Sequence, residues 1–201
     1  MVYKKTVEVN SNDRAYTFHN VTEYVKQAVK ESGIKDGIAV VYSHHTTCSV
    51  TTQECAFDMS VTGLETLQQD LINVFDEIVP VCKHEGYYLH PGQKALDFAE
   101  EHGEDARGCH NTDAHLRSSI MGRSESIVID DGQLDLGEFG YIYFIDFDTT
   151  RGRKRTVKIM IIGEYCRSVN NEHPIYAIAY TGCFGYVSLS SIFQNNYLRI
   201  P

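Results

Sequence analysis

None of the six cysteines stands in a Cys-x-x-Cys pair, which removes zinc-ribbon and thioredoxin-type readings. The longest wholly apolar runs are far too short to cross a bilayer, so no membrane partner is expected. Behind the charged opening MVYKKTVEVN there is no apolar stretch, so no secretory signal is expected. A cytoplasmic protein with reduced, mostly buried thiols follows from these absences. Basic residues are outnumbered, 18 against 27 acidic, for a net charge of -9. That balance repels a phosphate backbone and argues against nucleic acid as the partner. There is no repeat, low-complexity tract or Pro-rich linker, and no Gly-rich phosphate loop, dinucleotide fingerprint or Ser-His-Asp spacing. His84-Glu85 begins a metalloprotease helix motif, but the second histidine it needs is Tyr88, so that reading falls.

What is present is an ordinary globular composition: 201 residues, 42% hydrophobic and 22% charged, enough for one sizeable core and one domain. Val7 and Val9, then Tyr16 and Phe18, alternate with polar residues and predict two short strands around Ser11-Asn12-Asp13. Asn20 with Glu23 three residues on predicts a helix start; Val21, Tyr24, Val25, Ala28 and Val29 share its face, and Gly33 stops it. Ile38 to Tyr42 reads as a buried strand delivering Ser43, His44 and His45 at its end. A second helix is signalled by Leu64, Leu67, Leu71, Ile72 and Phe75 and closed by Pro80. Residues 86–108 read as an irregular region with a short helix at Gln93 to His102, of the kind that carries function. Three strands follow, Ser126 to Asp130, Tyr141 to Asp148 and Thr156 to Ile162, the last two expected to pair as a hairpin. The fold class is therefore α+β. Residues 165–201, with alternating Ile175, Ala177, Ala179 and then Tyr186, Ser188, Ser190, are expected to add strands to the same domain.

Nine histidines is a high count, and neutral imidazole is the commonest protein ligand for zinc-like ions. Arg151, Arg153 and Arg155 crowd one turn, and Ser118 and Ser119 follow Arg117 near a helix start. Guanidinium forks and free N–H groups there suit an anion such as phosphate, or else pair with Asp146 and Asp148 in a solvated turn. Cys48 is expected to be a packed thiol.

Ser124, Ile127, Ile129, Gly132, Gly137 and Ile142 keep a spacing that, with SHHTTCSVTTQE and AHLRSSIMG, resembles the YjbQ-like family of small trimeric proteins, over about residues 2–164. The resemblance implies a bifurcated, barrel-like mixed β-sheet with helices packed on it, assembled as a homotrimer with a pocket between subunits. It implies that His45, His90 and His115 bind a divalent ion, zinc foremost, leaving a fourth position for water or substrate. By the same match Glu54 is the general acid/base or metal-water partner, or else a solvated or structurally hydrogen-bonded carboxylate, Arg153 and Arg155 hold the leaving pyrophosphate, and Asn111, Ser119 and Phe139 contact the ligand. Asn111 has a second reading as the cap of its helix. Where the family usually has Gly-Thr-Trp-Gln, this chain has Gly137-Glu138-Phe139-Gly140.

The function expected is a metal-binding, enzyme-like trimer acting on a small phosphorylated molecule, or binding phosphate or sulfate. The resemblance implies a transferase of the thiamin-phosphate-synthase type, with a metal-assisted hydrolase as the other catalytic form. The alternative is a non-catalytic trimer: a sensor, a carrier or a structural metal site. Replacement of Thr-Trp-Gln by Glu138-Phe139-Gly140 favours the alternative, because it removes an amide and a hydroxyl and adds a carboxylate.

Overall fold

The computed structural model describes residues 1–165; the strands expected beyond them lie outside the described residues. Among the described residues, eight strands and four α-helices form an α+β fold. The strands are β1 (Val2–Asn10), β2 (Thr17–Asn20), β3 (Asp36–Tyr42), β4 (Cys48–Glu54), β5 (Ser124–Asp130), β6 (Gln133–Leu134), β7 (Gly140–Asp146) and β8 (Lys154–Glu164). The helices are α1 (Thr22–Ser32), α2 (Thr66–Ile78), α3 (Gln93–Glu101) and α4 (Thr112–Met121). Five strands pair in the order β1-β8-β3-β5-β6 and three in the order β2-β7-β4. Every pairing is antiparallel, and together the two sheets make a curled half-barrel.

The expected hairpin between the last two long strands does not form. β7 pairs with β2 and β4 while β8 pairs with β1 and β3, so the turn between them crosses from one sheet to the other. Asp148 and Ser11 shape that crossing: the Asp148 carboxylate accepts from the N–H and hydroxyl of Thr150, and the Ser11 hydroxyl accepts from Arg153 N–H. The run Ile142 to Asp148 is buried throughout, as a strand covered on both faces must be. Ile142 and Phe144 face a core made with α1 and the inner face of the five-stranded sheet. Tyr143, Ile145 and Phe147 face a second core, against Ile72 and Phe75 of α2 and Ala114 of α4.

Local signals account for the helices. α1 begins one residue later than its sequence suggests, with Val21 at the N-cap, yet the Asn20 carboxamide still accepts from Thr22 N–H at 3.1 Å. α2 opens on a capping box, Glu65 with Gln68. β3 is buried on alternate positions only: Ala39 and Val41 enter the core, while Ile38 remains 47% exposed and Tyr42 39%. Gly37 and Gly163 face each other across β3 and β8. A Cβ on Gly163 would lie 2.2 Å from the Asp36 carbonyl oxygen, so the strands reach this spacing only with glycine there.

Candidate functional site

The β3–β4 loop, the β7–β8 crossing, the chain before α3 and the start of α4 converge at one end of the half-barrel. They enclose a cavity of about 350 Å³, lined by His44, His45, Thr46, Thr47, His90, Ala95, Gly108, Cys109, Asn111, His115, Arg151, Arg153 and Arg155. Six of the nine residues expected at the site therefore meet: His45, His90, His115, Asn111, Arg153 and Arg155. Glu54, Ser119 and Phe139 do not line this cavity. Glu54 sits at the far end of β4, roughly 20 Å along the strand from Cys48, in a second groove with Glu125 and Asp135. Ser119 lies one turn beyond His115 on α4 and donates back to the His115 carbonyl at 2.8 Å. Phe139 is exposed in the β6–β7 loop, where its carbonyl accepts from Cys55 N–H at 3.3 Å. Glu138, exposed in that loop, is also absent from the cavity wall.

Hydrogen bonds fix the imidazole tautomers. Thr112 donates its hydroxyl proton to the His90 carbonyl at 2.6 Å, so its oxygen can only accept from His90 Nδ1–H, at 2.9 Å. His115 Nδ1 lies 3.3 Å from the Thr46 carbonyl oxygen, which can only accept. Both rings therefore carry the proton on Nδ1 and keep the lone pair on Nε2, and their centroids are 5.4 Å apart. His45 is turned the other way: its Nε2 accepts from the backbone N–H of Thr156 at 2.9 Å. The His44 ring lies against it, with centroids 4.2 Å apart. Burial, then the neighbouring His44 and Arg155, lower the pKa of His45; burial, then His90, lower that of His115. Both are neutral at pH 7.

A metal on three imidazoles is thus only partly accommodated. His90 and His115 offer Nε2 lone pairs, whereas His45 has one nitrogen engaged and the proton on the other. Among the described residues no three of His, Cys, Asp and Glu gather as a metal-binding group.

Behind the cavity wall the charges are ordered. Arg155 is buried and its Nε–H donates to Asp146 at 2.6 Å, its Nη2–H to Thr47 at 3.0 Å. Burial opposes this cation, but the Asp146 hydrogen bond and charge outweigh it and raise its pKa. Arg155 is therefore a strut for the β7–β8 crossing, not an open anion ligand. Asn111 occupies the N-cap position of α4, but its side chain makes no capping hydrogen bond; its amide donates to Asp148 at 2.9 Å instead. Arg117 is also structural, fully buried and donating to the Val79 carbonyl and Asp76. Arg153 stands 3.8 Å from Asp148, beyond hydrogen-bond range. Arg151 pairs with Glu104 at 2.9 Å, yet its Nε is buried without a partner. Burial pushes the Cys48 thiol far up, as expected of a packed cysteine.

His44 and Arg151 are the cavity residues that sequence reasoning underweighted. The only signals for them were adjacency to His45 and the alternation Arg151, Arg153, Arg155, which puts three guanidinium groups on one side of an extended segment.

Comparison with other proteins agrees with this architecture. The UPF0047 protein of Methanocaldococcus jannaschii is 34% identical over 160 residues, covering 80% of this chain and 94% of that protein. YugU of Bacillus subtilis is 31% identical over 78% of this chain and 98% of its own length. A crystal structure from Clostridium acetobutylicum, of the YjbQ/UPF0047 family, superposes with a TM-score of 0.56 at 31% identity, covering 79% of this chain and 98% of that one. A YbjQ-like protein from Sulfolobus solfataricus, described as of unknown function, shares the fold with a TM-score of 0.62 at 23% identity, over 82% of this chain and 99% of that one. The family model described as UPF0047 protein YjbQ-like matches residues 5–164, and the chain belongs to that family.

Proposed function

We propose that the histidine-arginine cavity binds a small phosphorylated molecule, or phosphate or sulfate itself. The observation that carries this reading is four imidazoles and two incompletely paired arginines around one small cavity, in a chain of net charge -9. A local cationic concavity in an acidic protein draws small anions while the rest of the surface repels polyanions. Arg151 and Arg153, which both line the cavity, contact the anion, and His90 and His115 hold a divalent ion, zinc foremost, through Nε2. Such an ion, when bound, polarises an oxygen of the ligand. Inside the cell the protein acts in the cytoplasm.

We propose a homotrimer as the working form. Val128, Ile38, Ile162 and Val2 lie in one row across β5, β3, β8 and β1 on the outer sheet face, each more than 40% exposed. A contiguous uncovered apolar row of this kind marks a contact surface. A pocket shared between subunits is also the arrangement that would bring Glu54 and Phe139 to a neighbour's histidines.

The catalytic form of this reading is a thiamin-phosphate-synthase-type transferase or a metal-assisted hydrolase. Within one chain Asp146 and Asp148 are buried and hydrogen-bonded, so the general acid/base at hand is an imidazole, His90 or His115. The second reading is a carrier or sensor, which needs only the binding groups of the cavity. Calorimetric titration with inorganic phosphate, pyrophosphate and sulfate tests the anion reading. Saturable binding that weakens in Arg153→Ala supports it; no binding of any of the three, with zinc present or absent, contradicts it.

A further inference from the structure

We propose that α2 is a docking helix for a partner protein that offers an amphipathic helix with lysine or arginine along one edge of its apolar stripe.

Helix α2 carries two stripes where its own packing uses one. Gln68, Ile72, Phe75 and Val79 follow the spacing of one helix face and are buried, the last three in the core shared with Tyr143 and Ile145 of β7. One residue back, Leu67, Leu71, Val74 and Ile78 repeat that spacing, about 100° round the helix. Only Leu71 leans on the core; Leu67 is 38% exposed, Val74 55% and Ile78 60%. Steps of four, three and four residues are those of a helix-to-helix seam, and the stripe runs roughly 20 Å. At the head of α2 the preceding loop is fastened by hydrogen bonds from Thr66 N–H to the Asp58 carbonyl and from Ser60 N–H to the Leu64 carbonyl. That loop exposes Phe57, Met59 and Val61 as well. Because α2 packs on β7, this surface is separate from the outer face of the five-stranded sheet proposed for self-association.

Charge decides what the stripe accepts. Asp70 and Glu77, themselves one heptad apart, border it on the side away from the core, and both are exposed. Asp76 lies on another side of the helix and is taken up by Arg117 at 2.7 Å. From Thr46 to Cys82 the sequence contains no lysine, arginine or histidine. An antiparallel second copy of α2 would set these carboxylates beside each other, and an anionic lipid surface would meet the same repulsion. A helix with lysine or arginine at the matching edge meets Asp70 and Glu77 with opposite charge while its apolar side covers Leu67, Val74 and Ile78.

The probe is a fluorescein-labelled peptide of about 15 leucine, alanine and lysine residues, with leucine on one helical face and lysine along one edge of it. Its anisotropy is followed as the full chain is added. Controls are a scrambled peptide of the same composition and a peptide with glutamate in place of lysine. We expect saturable binding of one peptide per chain, with both controls weaker by about tenfold or more. Val74→Gln combined with Ile78→Gln keeps good helix formers on an exposed face and should weaken binding by about tenfold. Asp70→Asn combined with Glu77→Gln should weaken it by about threefold and make it less sensitive to salt. Thermal melts of both double variants should match the wild type, which separates lost contacts from lost fold. Absence of binding overturns the inference, as does equal binding of the scrambled peptide. So does equal binding by wild type and the Val74→Gln, Ile78→Gln variant, because the peptide then sits elsewhere. If light scattering shows fewer copies per particle in that variant, the stripe belongs to another copy of this chain. If wild type but not the variant sediments with phosphatidylserine vesicles, the stripe is a membrane face; either result also overturns the inference.

Discussion

Arg155 and Asp146 form an ion pair whose side chains are 4% and 0% exposed, and at this depth the two partners are not equivalent to a surface pair. Removing one leaves the other charged and desolvated. Arg155→Ala should therefore cost about 3–5 kcal/mol of stability in chemical denaturation, and Asp146→Leu in the Arg155→Met background should cost much less than either single change. His19 offers a second prediction. Its Nε2 is buried without a partner, and burial lowers its pKa from 6.5. The unfolded chain then takes up a proton that the folded one resists, so this contribution to stability is full above pH 6.5 and is lost as the pH falls below it. His45 and His115 add the same sign. Denaturation of wild type and His19→Phe at pH 7.5 and pH 5 isolates the His19 share: the variant should lose less stability on acidification.

At the scale of elements, the long regular segments were legible in the sequence because their signals are local. The face formed by Val21, Val25, Ala28 and Val29 and the Gly33 stop specify α1 without reference to anything distant. Pairing partners were not legible. A short turn between two apolar strands normally makes a hairpin, and nothing local in Thr149 to Lys154 says that β7 and β8 join different sheets. The site shows the same division. The three histidines and the arginines could be singled out as residue types, but the direction of each ring depends on Thr112, Thr46 and Thr156, contributed by separate segments. That dependence is why sequence alone does not reveal that the His45 Nε2 accepts from Thr156 N–H. Gly108 is a further case, placed by packing alone: a Cβ there would meet the Arg151 guanidinium at 3.2 Å. Gly108→Ala should displace Arg151 and weaken phosphate binding by about 1 kcal/mol, roughly fivefold, with little change in folding stability. Calorimetry alongside a thermal melt checks both halves.

For the whole molecule, the apolar row on the outer sheet face and the separation of Glu54 from the histidines argue for assembly. Light scattering should give three copies, and Ile38→Glu, which places a carboxylate amid Val128 and Ile162, should yield monomers that stay folded. A trimer that survives this change would put the interface on another face. The central claim is that one cavity seats an ion and an anion side by side, and anomalous scattering at the zinc edge from crystals grown with zinc and phosphate tests it most directly. The account predicts one zinc peak per chain within bonding distance of Nε2 of both His90 and His115. A phosphate should bridge from that ion to Arg151 and Arg153, with His45 Nε2 still on Thr156 N–H. Zinc bound through His45, or zinc and phosphate found only at separate places on the molecule, would contradict it.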